Sequence, residues 1–521
     1  MKFVIHDRNN AIKVIDSDKD QELVVQGRSV QDVLYELASK NSMEFIGWCH
    51  KDLEDFINHD QLNSIFHHEL IMASYSTTGD YEIPEAIGYI ENSTTFLNVK
   101  PDVNYPTWLM SSDIGGMHAM VILKFENLKG STKTSFDGFL NHISKTALSE
   151  GLFCYSSPGL LKKDSVSIES RQNKINLFYF VRHHYRSRWL PLLFLDYLLY
   201  EKKFKIGSLL KGALTPKLNI DQVDFNSVKI KSINSSVEPY KSYDVLIPTL
   251  GRAKYLKDVL VDLSSQTFLP AKVIIIEQNG LEGSSSELDY IYDQKWPFEI
   301  EHSFIHQLGA CNARNLALKK VSSKWVFFAD DDIRFKKDLV EKAFDFITDY
   351  GAKAISMASL MQNESLQYKI PIQWHTFSTN SSFVKSSVLT DIYFGMEHEF
   401  GFGEDSDFGM KIRNKGVDII FYPTEDILHL KAPTGGFRVK MKFPWNEERI
   451  QPKPSPMVMA HRLKHTTKQQ LLGYRTTLML KFFNKSESNN PISYLSNFSK
   501  RWDKSILWAT KLIEKYNRNG V

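Results

Sequence analysis

From residue 243 to residue 329 the chain alternates short, continuously apolar runs with longer stretches whose apolar positions recur at helical spacing. Residues 243–247, 272–276 and 324–329 read as strands, and residues 253–265 and 309–320 as helices. Strands apolar along their whole length are buried on both faces, so the pattern predicts a mostly parallel sheet covered by helices. In such sheets ligands gather at the carboxyl ends of the strands. Further on, a glycine-flanked loop at 401–407 leads into a helix at 408–414, and 417–422 reads as another strand. The first half is less regular. Strand-like runs at 44–50 and 118–125, with helices between them, predict a second α/β unit, and the polar stretch from Asn226 to Ser236 separates it from the rest. The expected division is an N-terminal α/β domain over 1–235, an α/β domain over 240–440, and a helical C-terminal extension over 441–521.

Length and composition agree with this. A chain of 521 residues is too long for one core. Three scattered cysteines offer neither a disulfide framework nor a paired-cysteine metal site. The longest apolar stretch, Trp189 to Tyr200, contains Asp196 and falls short of the roughly 20 residues a membrane span requires. A cytoplasmic location is the expectation. Net charge is +3, but residues 430–521 hold 18 Lys and Arg against 5 Asp and Glu. This basic tail also carries Phe443, Trp445, Phe482, Phe483, Tyr494, Phe498, Trp502 and Trp508. Two readings stand level: a surface that lies on anionic lipid at the inner face of a membrane, or a helical face packing its aromatics onto the preceding domain. No nucleic-acid motif accompanies the charge, so nucleic acid is not an expected partner.

The chemistry concentrates at strand ends. Asp330, Asp331 and Asp332 close the apolar run 325–329, and that much like charge calls for a counter-ion. Carboxylates are hard oxygen ligands, so Mg²⁺ or Mn²⁺ with a phosphorylated substrate is one reading. A solvated turn with Asp332 capping a helix is the other. Pro248, Thr249 and Arg252 end the first strand, where a hydroxyl, backbone amides and a guanidinium can meet an anion. Glu277 and Asn279 end the second, placed to read a base or ribose. The segment containing Arg314 and Asn315 opens a helix whose N-terminal dipole favours phosphate. Glu404 and Asp405 lie in the glycine loop, where a carboxylate can act as general base, and His429 can complete a metal shell begun by aspartates.

In this order the clusters resemble the inverting glycosyltransferases of family 2, over residues ~240–440. The resemblance implies a GT-A fold (Rossmann-like, mostly parallel sheet), a nucleotide-sugar donor such as a UDP- or GDP-sugar, Mn²⁺ or Mg²⁺, and a glycan or lipid-linked acceptor. It assigns Pro248, Thr249, Arg252, Glu277, Asn279, Arg314, Asn315, Asp330 and Asp331 to the donor. Asp330, Asp332 and His429 become the metal set. Asp405 becomes the catalytic base, with Glu404 beside it. Glu277 stands where the family usually has Asp, which leaves the base identity open.

An acceptor is expected over Trp374, His375 and Asn380, although Trp374 reads equally as core. Lys431, Gly435, Gly436 and Arg438 are expected to form a lid over the donor. The N-terminal half faintly resembles a degenerate, non-catalytic copy of the same fold, with Trp48-Cys49-His50 where the acidic motif would stand. A peripheral enzyme of surface polysaccharide biosynthesis is the expected function. The rival readings are a scaffold that has lost turnover and a sugar-phosphate nucleotidyltransferase.

Overall fold

The computed structural model of the chain describes residues 1–16, 21–128, 135–163, 166–168, 174–217, 223–234, 242–433, 441–483 and 490–518. It separates into two compact units, Met1–Ser235 with Thr466–Leu478, and Ser236–His465 with Met479–Val521. The C-terminal stretch is thus shared between the two units.

The second unit is built on an eight-stranded sheet. Its strands are β9 (Tyr243–Leu250), β10 (Lys272–Gln278), β11 (Glu299–Ile305), β12 (Trp325–Ala329), β14 (Ala354–Met357), β15 (Ile372–Gln373), β16 (Ser381–Lys385) and β17 (Ile420–Tyr422). They lie in the order β11-β10-β9-β12-β16-β14-β17-β15. Pairing is parallel from β11 to β12 and between β14 and β17, and β16 runs antiparallel to both its neighbours. All seven residues of β10 are buried, as a continuous apolar run requires. The helix Ala253–Ser264 buries Leu256, Val259, Leu260 and Leu263, one face at helical spacing. The strands and helices predicted over 243–329 are present, with β11 in addition, whereas the run 118–125 in the first unit, expected as a strand, is largely the helix Ala119–Lys124. β11 lies at the sheet edge, only half buried, so Glu299, Glu301 and Ser303 break its apolar pattern and hide it from a reading based on continuous runs. A short β13 (Ile333–Phe335) pairs with β18 (Ile427–His429). The acidic triplet therefore leads into a strand, and no helix begins at Asp332.

The first unit holds another eight-stranded sheet. Its strands are β1 (Lys2–Asp7), β2 (Asn10–Asp16), β3 (Gln21–Ser29), β4 (Phe45–His50), β5 (Ile71–Tyr75), β6 (Tyr105–Pro106), β7 (Ile114–His118) and β8 (Phe153–Ser156). The order is β3-β2-β1-β4-β7-β5-β8-β6. Six of these strands, β1-β4-β7-β5-β8-β6, repeat the order and the directions of β9-β12-β16-β14-β17-β15. Register repeats as well: Phe45 faces His118 and Cys49 faces Ile114, as Trp325 faces Lys385 and Ala329 faces Ser381. His50-Lys51-Asp52 thus stands where Asp330-Asp331-Asp332 stands in the other sheet, two residues beyond the Trp48-Cys49-His50 alignment read from the sequence. The remaining strands differ. β2 and β3 form an antiparallel meander on β1, entered by a two-residue turn, in place of the helical crossover between β9 and β10.

The tail forms helices Pro456–His465, Lys468–Phe483 and Pro491–Arg518. Trp445, Tyr494, Phe498 and Trp502 are buried, and the last three stack in series. Four of the eight tail aromatics are thus buried, while Phe483 is exposed. No helix among the described residues is long and apolar enough to cross a membrane.

Candidate active site

Two cavities open at the carboxyl ends of the second sheet. The first, about 370 Å³, is lined by Pro248, Thr249 and Arg252 after β9, by Gln278 after β10, by Asp330, Asp331 and Asp332 after β12, and by His429 and Lys431 after β18. The second, about 630 Å³, lies over β14 and β17 and is lined by Ser359, Tyr368, Trp374, Asn380, Glu404, Asp405 and Phe421. Arg314 and Asp330 line both. The cavities therefore meet at an ion pair, Arg314 Nη2 to Asp330 Oδ1 at 3.0 Å.

The three aspartates have different partners. Asp331 is buried and accepts from Thr249 Oγ1 at 2.7 Å and Arg252 Nη1 at 2.8 Å. Its burial outweighs these bonds and pushes its pKa up to about 6. For Asp332 the balance reverses. Burial raises it, but His429, the Ala432 amide and Arg252 together hold it below the ordinary carboxylate range. Its Oδ1 lies 3.4 Å from His429 Nε2, and the same contact raises the imidazole. Asp330 pairs with Arg314 through Oδ1, while Asp332 and His429 lie against each other. A carboxylate and an imidazole suit Mn²⁺ or Mg²⁺ in character, and the neighbouring cavity has room for the remaining oxygen ligands.

Among the described residues, three-ligand groups occur elsewhere in this unit: Asp407 with His461 and His465, and Glu397 with His398 and Asp407. Lysine already fills the cation's place there. Lys411 and Lys464 lie 2.8 and 3.1 Å from Asp407, and His465 bonds it at 2.8 Å.

Asp405 opens the helix Glu404–Asn414, whose N-cap Gly403 has φ of +106°, a conformation that favours glycine. Its Oδ1 is buried without a hydrogen-bond partner, and Thr379 holds the carboxylate from the other side. Burial raises its pKa to about 7. Arg314 opposes the rise, and Glu404 and Asp330 add to it. Glu404 is raised in the same way by burial. A carboxylate poised near neutrality with one free oxygen is equipped to take a proton from a ligand in the second cavity.

Other expected residues are placed differently. Glu277 is buried away from both cavities, bonded to Ser286 Oγ, the Glu287 amide and His302 Nε2. Asn279 closes a local turn to the Leu281 amide. Asn315 pins the backbone of Phe394 through both side-chain ends. His375 is exposed and outside the cavity lining, while Trp374 lines it and stacks on Phe421 at 4.5 Å. Gly435, Gly436 and Arg438 lie outside the described residues. The N-terminus of the helix Ala310–Leu318 already has an anion: Glu399 accepts from the amides of Cys311 and Asn312 at 3.1 and 2.7 Å.

The sequence reading also missed residues. Gln278 lines the first cavity and accepts from the Gly309 amide, and Tyr368 and Phe421 wall the second. Its place at the end of the apolar run of β10 offered a signal for Gln278. Tyr368 and Phe421 had none, because they meet only through tertiary packing.

An acidic strand end lines one cavity and a buried carboxylate lines its neighbour, both at the carboxyl ends of a mostly parallel sheet. Residues 244–400 match the model of glycosyl transferase family 2. The chain is 27% identical over 104 residues to the putative teichuronic acid biosynthesis glycosyltransferase TuaG of Bacillus subtilis, spanning 40% of that relative and 20% of itself. Among solved structures, S. aureus TarS 1-349 in complex with UDP-GlcNAc is 16% identical, with a TM-score of 0.36 over 53% of this chain and 92% of that one. The mannosyltransferase PcManGT from Pyrobaculum calidifontis, in complex with GDP-Man and Mn²⁺, is 14% identical, with a TM-score of 0.30 over 54% of this chain and 76% of that one.

Proposed function

We propose that this protein transfers a sugar, with inversion, from a UDP- or GDP-sugar to a hydroxyl of a glycan or lipid-linked acceptor in surface polysaccharide biosynthesis. The observation that carries this reading is the junction of two cavities at Arg314 and Asp330, with Asp405 on the acceptor side. In the first cavity Thr249, Arg252 and Lys431 face a diphosphate. In the second, Trp374 offers an aromatic face to a sugar ring and Asn380 a hydrogen-bonding amide. The bond from the anomeric carbon to the diphosphate oxygen breaks as the bond to the acceptor oxygen forms, and the acceptor proton passes to Asp405. Asp332 and His429 are the residues that would hold Mn²⁺ or Mg²⁺, which when bound supplies charge stabilisation to the departing diphosphate. Glu277, His302 and Ser286 act behind the first cavity by fixing the end of β10. The basic tail adds a peripheral contact with anionic membrane to the reading.

The test is a screen of the purified chain against nucleotide sugars, with and without Mn²⁺ or Mg²⁺, following nucleoside diphosphate release. Metal-dependent release, lost in Asp332→Ala and in Asp405→Ala, is the expected result. Release that survives both substitutions, or the absence of nucleotide binding by calorimetry, overturns the assignment.

A further inference from the structure

The six strands shared by the two sheets are not an arbitrary subset. In the second unit, the strands outside this set are β10 and β11, and the crossover from β9 to β10 carries Arg252, with Gln278 at the end of β10. These contribute to the donor cavity. In the first unit the same positions hold the β2–β3 meander in place of that crossover. The acidic motif is replaced by His50-Lys51-Asp52. The acceptor half, in contrast, is retained.

Its cavity is retained too. The second unit's acceptor cavity lies over the ends of β14 and β17, lined by Met357 and Phe421. Ser74 faces Gly115 as Ser356 faces Ser382, so Tyr75 stands where Met357 stands. Ser156 faces Tyr105 as Phe421 faces Ile372. Tyr75 and Ser156 both line a cavity of about 1000 Å³ contained within the first unit. This is the upper end of the range for small-molecule sites. Its wall mixes tyrosines and polar side chains with aliphatic ones such as Ile83, Ile87, Leu97 and Val99. Tyr89 stacks on Tyr200 at 5.8 Å and meets Tyr197 edge-on at 6.3 Å, and Tyr81 completes the set. Glu201 and Lys468 stand among them, with charges of both signs. Flat amphipathic rings with hydroxyl, amide and charged groups at their edges match the alternating C–H faces and hydroxyls of a saccharide.

We infer that the first unit is a non-catalytic saccharide-binding module, a copy of the transferase sheet that kept the acceptor half and its cavity while losing the donor half, and that it holds the glycan chain being extended. That the bound glycan is the acceptor rests on the transferase reading; that the cavity binds saccharide does not.

The experiment uses the full chain on an array of defined short oligosaccharides, comparing the wild type with Tyr81→Ala and Thr78→Trp. Thr78 is exposed at the mouth of the cavity, and a tryptophan there blocks entry without disturbing the core. Binding is expected to fall at least about tenfold in Tyr81→Ala and Thr78→Trp. Array binding equal to wild type in both cavity variants overturns the inference, as does the binding of no saccharide at all. If Tyr81→Ala alters the melting profile, the exposed-site variant decides. Donor hydrolysis, measured in parallel, separates the two readings. Hydrolysis present with cavity-independent binding sinks only this inference, while cavity-dependent binding without hydrolysis sinks only the transferase.

Discussion

The two sheets carry a buried aspartate at the same place with different hydrogen bonding. Asp137 in the first unit and Asp405 in the second both occupy the start of the helix between corresponding strands, Phe136–Ala147 and Glu404–Asn414. Each is buried against a hydroxyl residue two positions ahead of a corresponding strand, Ser112 before β7 or Thr379 before β16 in register. Their satisfaction differs. Asp137 accepts from both the amide and the hydroxyl of Ser112, at 2.8 and 2.9 Å, and so serves the fold. Asp405 keeps one oxygen free, with Arg314, Glu404 and Asp330 around it. The same backbone thus supports a structural carboxylate or a reactive one, according to whether the local hydrogen bonds consume both oxygens.

The largest test of this contrast is a matched pair of substitutions. Asp405→Asn is expected to lower turnover by about 10³-fold or more while nucleotide binding persists, since a general base alone contributes on that order. Asp137→Ala is expected to leave turnover per folded molecule unchanged and to destabilise the chain by roughly 1–3 kcal/mol, the penalty for stranding buried donors. Activity assays and denaturant titration read the two effects separately.

The pH profile sharpens the comparison at intermediate scale. Asp405 must be ionised to accept a proton and its pKa is raised to about 7, so kcat/KM should climb through a midpoint near 7 and fall about tenfold per pH unit below it. Glu404→Gln removes a neighbouring like charge and should move that midpoint down. Stability runs the opposite way. A carboxyl raised in the folded state disfavours folding once it ionises, so Asp405→Asn should raise the melting temperature above neutral pH relative to wild type. The smallest effect concerns Glu399. Its replacement by Gln weakens the cap on the helix Ala310–Leu318 and should cost about 1 kcal/mol, read by thermal melting.

What was legible in the sequence follows from how each signal is encoded. Buried parallel strands announce themselves as unbroken apolar runs, so β9, β10 and β12 and the acidic strand end could be read directly. The edge strand β11 could not, because solvent on one side tolerates Glu299 and Glu301. Glu277, Asn279 and Asn315 carry polar groups at the right strand ends, yet those groups are spent on Ser286, Leu281 and Phe394. One-dimensional spacing gives position but not hydrogen-bond satisfaction. The wall of the acceptor cavity joins Tyr368, Trp374 and Phe421, which only the folded sheet brings together.

The ion pair between Arg314 and Asp330 has a thermodynamic consequence. Because each residue borders both cavities, filling either one changes the electrostatic work of filling the other. Linkage makes that coupling reciprocal: whatever factor a bound donor imposes on acceptor affinity, a bound acceptor imposes on the donor. Under the proposed function, coupling between the two substrates would run through a single guanidinium and a single carboxylate 3.0 Å apart.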